Sequence, residues 1–506
     1  MKKNVCLSFV VFCWLTIIGF HSPAQIKQSA SERTSVDLTV YNQNLALVRE
    51  ERTIDLEKGL NRIIIPDIPA TIDGTSLHFS SLTDPSAVKV IEQNYQYDLV
   101  HQAKLMEKYI GKEVEFIRMD NESKKDLSVK GILLATGWQP QPNYNPYGGN
   151  APYYMTGQMI AEINGKIEIA PGGRLILPSL PEGLILKPQL EWLVTNSKQG
   201  EHKTEISYLA AQLTWSCNYV ALLDPNDAQV DLTGWVTITN NSGASFKNAG
   251  LKLVAGDVNL VKEGQAGSMA KSMRMESDLA AAPQFQQKEL FEYKLYSLQR
   301  KTDVSNNETK QIELTSATNI SAKKVFIYDG LSNQWRYWSN NYSYREQGSF
   351  GQQSNKKIGV FVTFRNEEKA GLGIALPKGK VRVYKRDDDG KEQFVGEDEI
   401  DHTPKDEEIK LYLGNAFDIV GEHTQQNFRV VVPGHVVDET FEIKVRNHKS
   451  ESVEVMVYEH PWRWNEWDIT KSNAVWEKVD QTTIKFPVKL KKDDEKVITY
   501  TIRYNW

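Results

Sequence analysis

Gly234-Trp235-Val236-Thr237-Ile238-Thr239 is the stretch that decides the class of this chain. Side chains on a strand alternate between two faces. Val236 and Ile238 therefore share one face, and Trp235, Thr237 and Thr239 share the other, in residue types that favour strands. Asn240-Asn241-Ser242-Gly243 then reads as a turn. The same period of two recurs in Val36-Asp-Leu-Thr-Val-Tyr41, Lys112-Glu-Val-Glu-Phe-Ile117, Phe441-Glu-Ile-Lys-Val445 and Val453-Glu-Val-Met-Val-Tyr458. Asp73-Gly74, Asn164-Gly165, Gly172-Gly173, Asp329-Gly330 and Asp389-Gly390 punctuate the strands. Asn-Gly and Asp-Gly suit tight hairpins, whose central residues need positive φ.

The expected fold is mainly β and multidomain, with β-sandwich modules, a small barrel-like insertion and one short connecting helix. Leu99, Ala103, Met106 and Ile110 are spaced four, three and four apart, which puts them on one helical face. This reading divides the chain into an N-terminal β domain over 26–98, the helix and barrel-like domain over 99–187, and sandwich modules over 188–335 and 356–506.

Residues 1–24 read as an export signal: Lys2-Lys3, an apolar run from Val5 to Phe20, and a small-residue exit ending at Ala24. The expected location is the periplasm or cell surface, with no transmembrane span once the signal is removed. Removal takes Cys6, Cys13 and two lysines, and shifts the formal charge from −5 to −7. Only Cys217 then remains, which excludes an internal disulfide and a cysteine-rich metal site. The mild acidity argues against a nucleic-acid partner, which calls for a basic field.

Four stretches, the opening one among them, carry a family resemblance. They are Ile206-Ser-Tyr-Leu-Ala-Ala-Gln-Leu-Thr-Trp-Ser-Cys-Asn-Tyr219; Gly234 to Gly243 running on to Leu251-Lys-Leu-Val-Ala-Gly256; Tyr293-Lys-Leu-Tyr-Ser-Leu298 with Lys310-Gln-Ile-Glu-Leu314; and Phe394-Val-Gly-Glu-Asp398 with His402-Thr-Pro404 and Leu413-Gly-Asn-Ala-Phe-Asp418. In this order they resemble the bacterial "domain of unknown function 4139" family over about residues 190–506. The resemblance implies an exported or envelope-associated β-rich protein and implies no activity.

The sequence has no Gly-x-Ser-x-Gly elbow, phosphate loop or dinucleotide fingerprint, so no catalytic residue and no cofactor are assigned. His402 with Asp401, in an acidic loop, is weighed as a metal ligand set against a plain charged turn. The turn is preferred and no metal is assigned. Cys217 is read as a small buried hydrophobe rather than a reactive thiol.

The binding candidates are aromatic. Trp335, Tyr337 and Trp338 form one cluster, and Trp462, Trp464 and Trp467 another. On a strand, Trp462 and Trp464 share a face and Arg463 points the other way. Such faces stack on sugars, anchor a protein partner, or form an internal seam. Trp138, Tyr144 and Tyr147 lie in a long Pro/Gly-rich loop and either stack on a ligand or pin the loop. The expected function is a non-catalytic envelope or surface protein that binds or organises a partner, an envelope protein or a glycan. The alternative is a carbohydrate-binding or carbohydrate-processing protein.

Overall fold

The computed structural model describes residues 26–29, 33–97, 99–119, 125–141, 153–256, 258–259, 284–332, 334–339, 342–348 and 355–506. It is mainly β, with several multi-stranded sheets and two short α-helices among the described residues. The signal segment 1–24 lies outside the described residues. No helix among them is long and apolar enough to cross a membrane.

The chain forms two compact units, and its crossings between them fall inside strands: 49–208 belongs to the first, 36–48 and 209–506 to the second. In the first unit, strands Ile26–Ser29, Gly59–Pro66, Gln189–Asn196 and Val88–Gln96 form a four-stranded sheet in that order. Gln189–Asn196 alternates strictly between half-buried and buried residues, and Trp192 is fully buried. The expected small insertion is an open five-stranded sheet, in the order Lys166–Ile169, Ile160–Ile163, Asp126–Ala135, Glu113–Met119, Arg174–Ile176. It does not close into a barrel.

The connecting helix is Gln102–Lys108, shorter than the spacing predicts. His101 caps its start by accepting from the Lys104 N–H. Met106 and Tyr109 enter the core of the five-stranded sheet beside Phe116 and Leu133. Leu99 instead bridges to Ile185, and Ile110 is exposed. Both lie beyond the helix, where its periodicity no longer applies.

The second unit is dominated by a thirteen-stranded sheet. The stretch that opened the sequence reading sits in strand Gln229–Asn240, which alternates down its length with Val236 and Ile238 in the core. Two long strands give this sheet its continuity. Glu308–Asp329 pairs with Gln229–Asn240 along its first part and with Lys357–Arg365 along its last. Glu408–Val432 pairs first with Lys357–Arg365 and then with Val436–Asn447. Residues on both sides of position 335 therefore contribute to one sheet. The core near the C-terminus has two layers. Phe441, Ile443, Tyr500 and Ile502 come from one pair of strands, and Val455, Val457, Phe486 and Val488 from another.

Cys217 is a free thiol, 1% exposed, between Trp215 and Tyr219. Burial pushes its pKa up to about 12, so it packs as a small apolar side chain.

Candidate functional site

Four neighbouring strands of the second unit present one face to an open groove of about 350 Å³. They are, in order across the sheet, Val453–Glu459, Glu308–Asp329, Lys357–Arg365 and Glu408–Val432. The strand period selects the lining. Ile327 and Asp329, then Lys357, Gly359 and Phe361, then Lys410 and Tyr412, reach the groove. The residues between them, Tyr328, Ile358 and Leu411, are buried in the core.

The groove combines flat apolar surface with polar tips. Phe361 and Tyr412 are cross-strand partners with ring centroids 5.2 Å apart. Lys410 Nζ sits 4.5 Å from the Phe361 centroid, within cation–π range. Tyr412 donates its hydroxyl proton to Asn415 Oδ1 at 3.1 Å. Asn355 accepts the Lys357 N–H at 3.0 Å. Gly359 forms part of the floor. A Cβ there would lie 2.8 Å from the Phe361 ring and 3.5 Å from that of Tyr412, so glycine lets the rings lie across the strand.

His460 closes one end of the groove. Its Nε2 is 3.3 Å from Asp329 Oδ2 and its Nδ1 is 3.2 Å from the Thr482 carbonyl. Burial lowers its pKa, but the bond to Asp329 and the field of that carboxylate outweigh this and leave it raised. Trp335 lies flat against the imidazole, with centroids 4.7 Å apart and planes 14° from parallel.

The two aromatic clusters of the sequence thus meet. Trp335, Tyr337 and Trp338 lie on helix Gln334–Ser339. Trp335 and Trp338 are three residues apart, a helical spacing that was readable in the sequence. Trp338 packs on Trp462 at 5.4 Å, while Tyr337 is 69% exposed. Trp464 lies under the Arg345 guanidinium at 4.0 Å. Trp467 is buried and donates its indole N–H to the Gln481 carbonyl at 2.8 Å. Trp338 and Trp462 form an aromatic seam where the two clusters meet, and Trp335, on the same helix as Trp338, reaches the groove through His460.

Residues 462–464 are not on a strand: the segment between Glu459 and Trp467 is irregular, so the two-residue spacing of Trp462 and Trp464 does not set the direction of Arg463. Arg463 is 2% exposed and lies between the Phe428 and Trp462 rings, 4.7 and 4.4 Å away. Its Nη1 donates to the carbonyls of Tyr344 and Arg345, and its Nη2 to the Gln347 carbonyl and Glu439 Oε1. Gln425 also donates to Glu439 Oε1, at 2.6 Å. Nearby, Glu459 Oε2 faces His423 Nε2 at 3.0 Å and accepts the Tyr500 hydroxyl proton. Glu439 and Glu459 are each 1% exposed. Both carboxylates lie in the core, where they are held by Arg463, Gln425, His423 and Tyr500.

Trp138 begins strand Trp138–Gln141, paired with Tyr153–Thr156. Its side chain, with Tyr144 and Tyr147, lies outside the described residues. His402 accepts the Lys378 N–H through Nδ1 at 3.1 Å, and exposed Asp401 pairs with Lys378. The loop is a charged turn between strands Glu392–Ile400 and Glu408–Val432. No group of three or more metal-ligating side chains occurs among the described residues. A second concavity, of about 580 Å³, lies in the first unit beside Tyr95, Tyr97 and Lys104. Its main polar groups are already committed: Arg62 grips Glu191 with two bonds of 2.8 Å, and Gln96 joins them.

Sequence reasoning missed Phe361, Tyr412, Tyr458, Asp329 and His460 as a set. Each strand carries only one to three of the lining residues, and most of these strands are far apart in the chain. The chain matches no family model and no curated protein.

Proposed function

We propose that this chain is an exported, non-catalytic binding protein whose groove engages a saccharide of the cell envelope. The observation that carries the reading is the makeup of the groove, where the rings of Phe361, Tyr412 and Tyr458 lie beside amide and charged tips. Sugar rings offer an apolar C–H face and a rim of hydroxyls, and such a lining complements both. Among the described residues the groove has one carboxylate, Asp329, which is bound to His460. A glycosidase of the usual kind works with two carboxylates across the scissile bond, so the lining favours binding over hydrolysis. The export signal read at residues 1–24, and the resemblance of about residues 190–506 to an envelope-associated family, support the compartment.

The test is a glycan array probed with the full mature chain and with Tyr412→Ala. Tyr412 is 40% exposed, so its truncation leaves the core intact. Stacking on an aromatic ring is worth about 1 kcal/mol or more. The variant should therefore bind the same glycans about fivefold more weakly or worse. Equal binding by both proteins, or no glycan bound by either, would reject the reading.

A further inference from the structure

The groove is a cationic spot on an acidic chain. Lys357 and Lys410 line it, and His460 closes its end. The charge on His460 follows from its bonding. Its Nδ1 faces a carbonyl oxygen and its Nε2 a carboxylate oxygen. Both partners are acceptors only. A neutral imidazole has one N–H and satisfies one of them, whereas an imidazolium satisfies both. The flat stack on Trp335 adds a π face that favours the cation. The groups facing His460 are Asp329 at the end of strand Glu308–Asp329, Glu459 before it in the chain, Asp480 ahead of strand Thr483–Leu490, and Trp335 from the helix, whose ring also carries the Arg336 guanidinium at 5.3 Å. Asp329 is the one carboxylate among the described groove-lining residues, and the imidazolium neutralises it. Lys357 and Lys410 add two positive charges to the lining, with the field of the Glu408 carboxylate acting on Lys410.

We propose that the groove selects acidic saccharides, with Lys357 and Lys410 facing a carboxylate or sulfate group, the His460 imidazolium cancelling the charge of Asp329, and Phe361, Tyr412 and Tyr458 holding the ring. This rests on the saccharide-binding reading above and names the ligand class. A neutral chain would leave the two ammonium groups desolvated without return, whereas an anionic one regains their solvation as direct contacts. The field is local, because at physiological salt charges more than about 8 Å apart are screened. Selection therefore depends on these side chains rather than on the net charge of −5.

The experiment is calorimetric titration of the mature protein, at low salt and pH 6, with three probes: a neutral gluco-oligosaccharide, an oligogalacturonate and a sulfated oligosaccharide of similar length. The acidic probes should bind more tightly than the neutral one. Their affinity should fall about tenfold in Lys357→Gln/Lys410→Gln, and fall again in the wild type as pH rises and His460 loses its proton. Asp329→Asn should move that fall to lower pH. A response to one acidic probe alone would support the proposal and identify the anion. Equal affinity for neutral and acidic probes, insensitive to pH and to the lysine changes, would overturn acidic selectivity and leave saccharide binding standing. Failure of all three probes, together with a blank glycan array, would overturn both.

Discussion

The imidazole of His460 lies flat on the indole of Trp335, 125 positions earlier in the chain, with ring centroids 4.7 Å apart. This contact joins an aromatic seam to the wall of an open groove. It links two Trp-rich segments that look independent in the sequence, and it makes the titration of one histidine a property of the candidate site.

Asp329→Asn tests that link. With the carboxylate present, the His460 pKa is raised. Without it, burial is left as the main influence and lowers the value. The imidazole proton followed by NMR should titrate above about 6.5, the ordinary value, in the wild type, and below it in the variant. A raised folded-state pKa contributes stability that is fully present below the unfolded value and is lost as pH rises through the folded one. The wild type should therefore lose a little denaturant stability between pH 6 and alkaline pH, and Asp329→Asn should not. Identical titration in the two proteins would contradict the assignment.

Arg463 predicts a coupled pair. Arg463→Met strands Glu439 in the core without its cation and releases the carbonyls of Tyr344, Arg345 and Gln347. Breaking a buried ion pair from one side costs about 3–5 kcal/mol. The expected result is a large fall in the urea midpoint, with faster hydrogen exchange at 344–348. Arg463→Met/Glu439→Leu should recover much of the loss, because no unpaired charge is left buried. Additive losses in the double variant would show that the pair is not coupled.

Cys217 predicts inertness. With its pKa pushed up to about 12 and 1% exposure, the native thiol has almost no thiolate at neutral pH. A thiol reagent in excess should label the native protein only at the rate of opening, and label it at once in denaturant. Rapid native labelling would mean that strand Leu213–Leu223 is not closed as described.

Much of the fold was legible because a strand leaves a local trace. Gly234–Thr239, Phe441–Val445 and Val453–Tyr458 alternate in sequence, and each falls within a strand whose buried positions follow the same alternation. Single-cysteine chemistry was equally plain, since burial suits a thiol with no partner. The groove was not legible. Its lining comes from positions 327–332, 355–361, 410–415 and 458–460, and only the pairing of strands distant in sequence brings them together. The place of Arg463 was not legible for a related reason. A period of two applies only while the chain stays extended, and the chain leaves the strand at Glu459. The insertion over 99–187 was read correctly as β, but closure into a barrel depends on whether edge strands pair, which no local pattern encodes.

The most direct test of the central claim is side-chain footprinting of the mature protein, with and without the best-bound saccharide from the array. Hydroxyl-radical labelling reports on exposed aromatic rings. The account predicts protection at Tyr412, Phe361 and Tyr458 on saturation, with Tyr337, Tyr95 and Tyr97 unchanged. Protection at Tyr95 and Tyr97 with Tyr412 and Phe361 unchanged would contradict it and move the site to the concavity of the first unit.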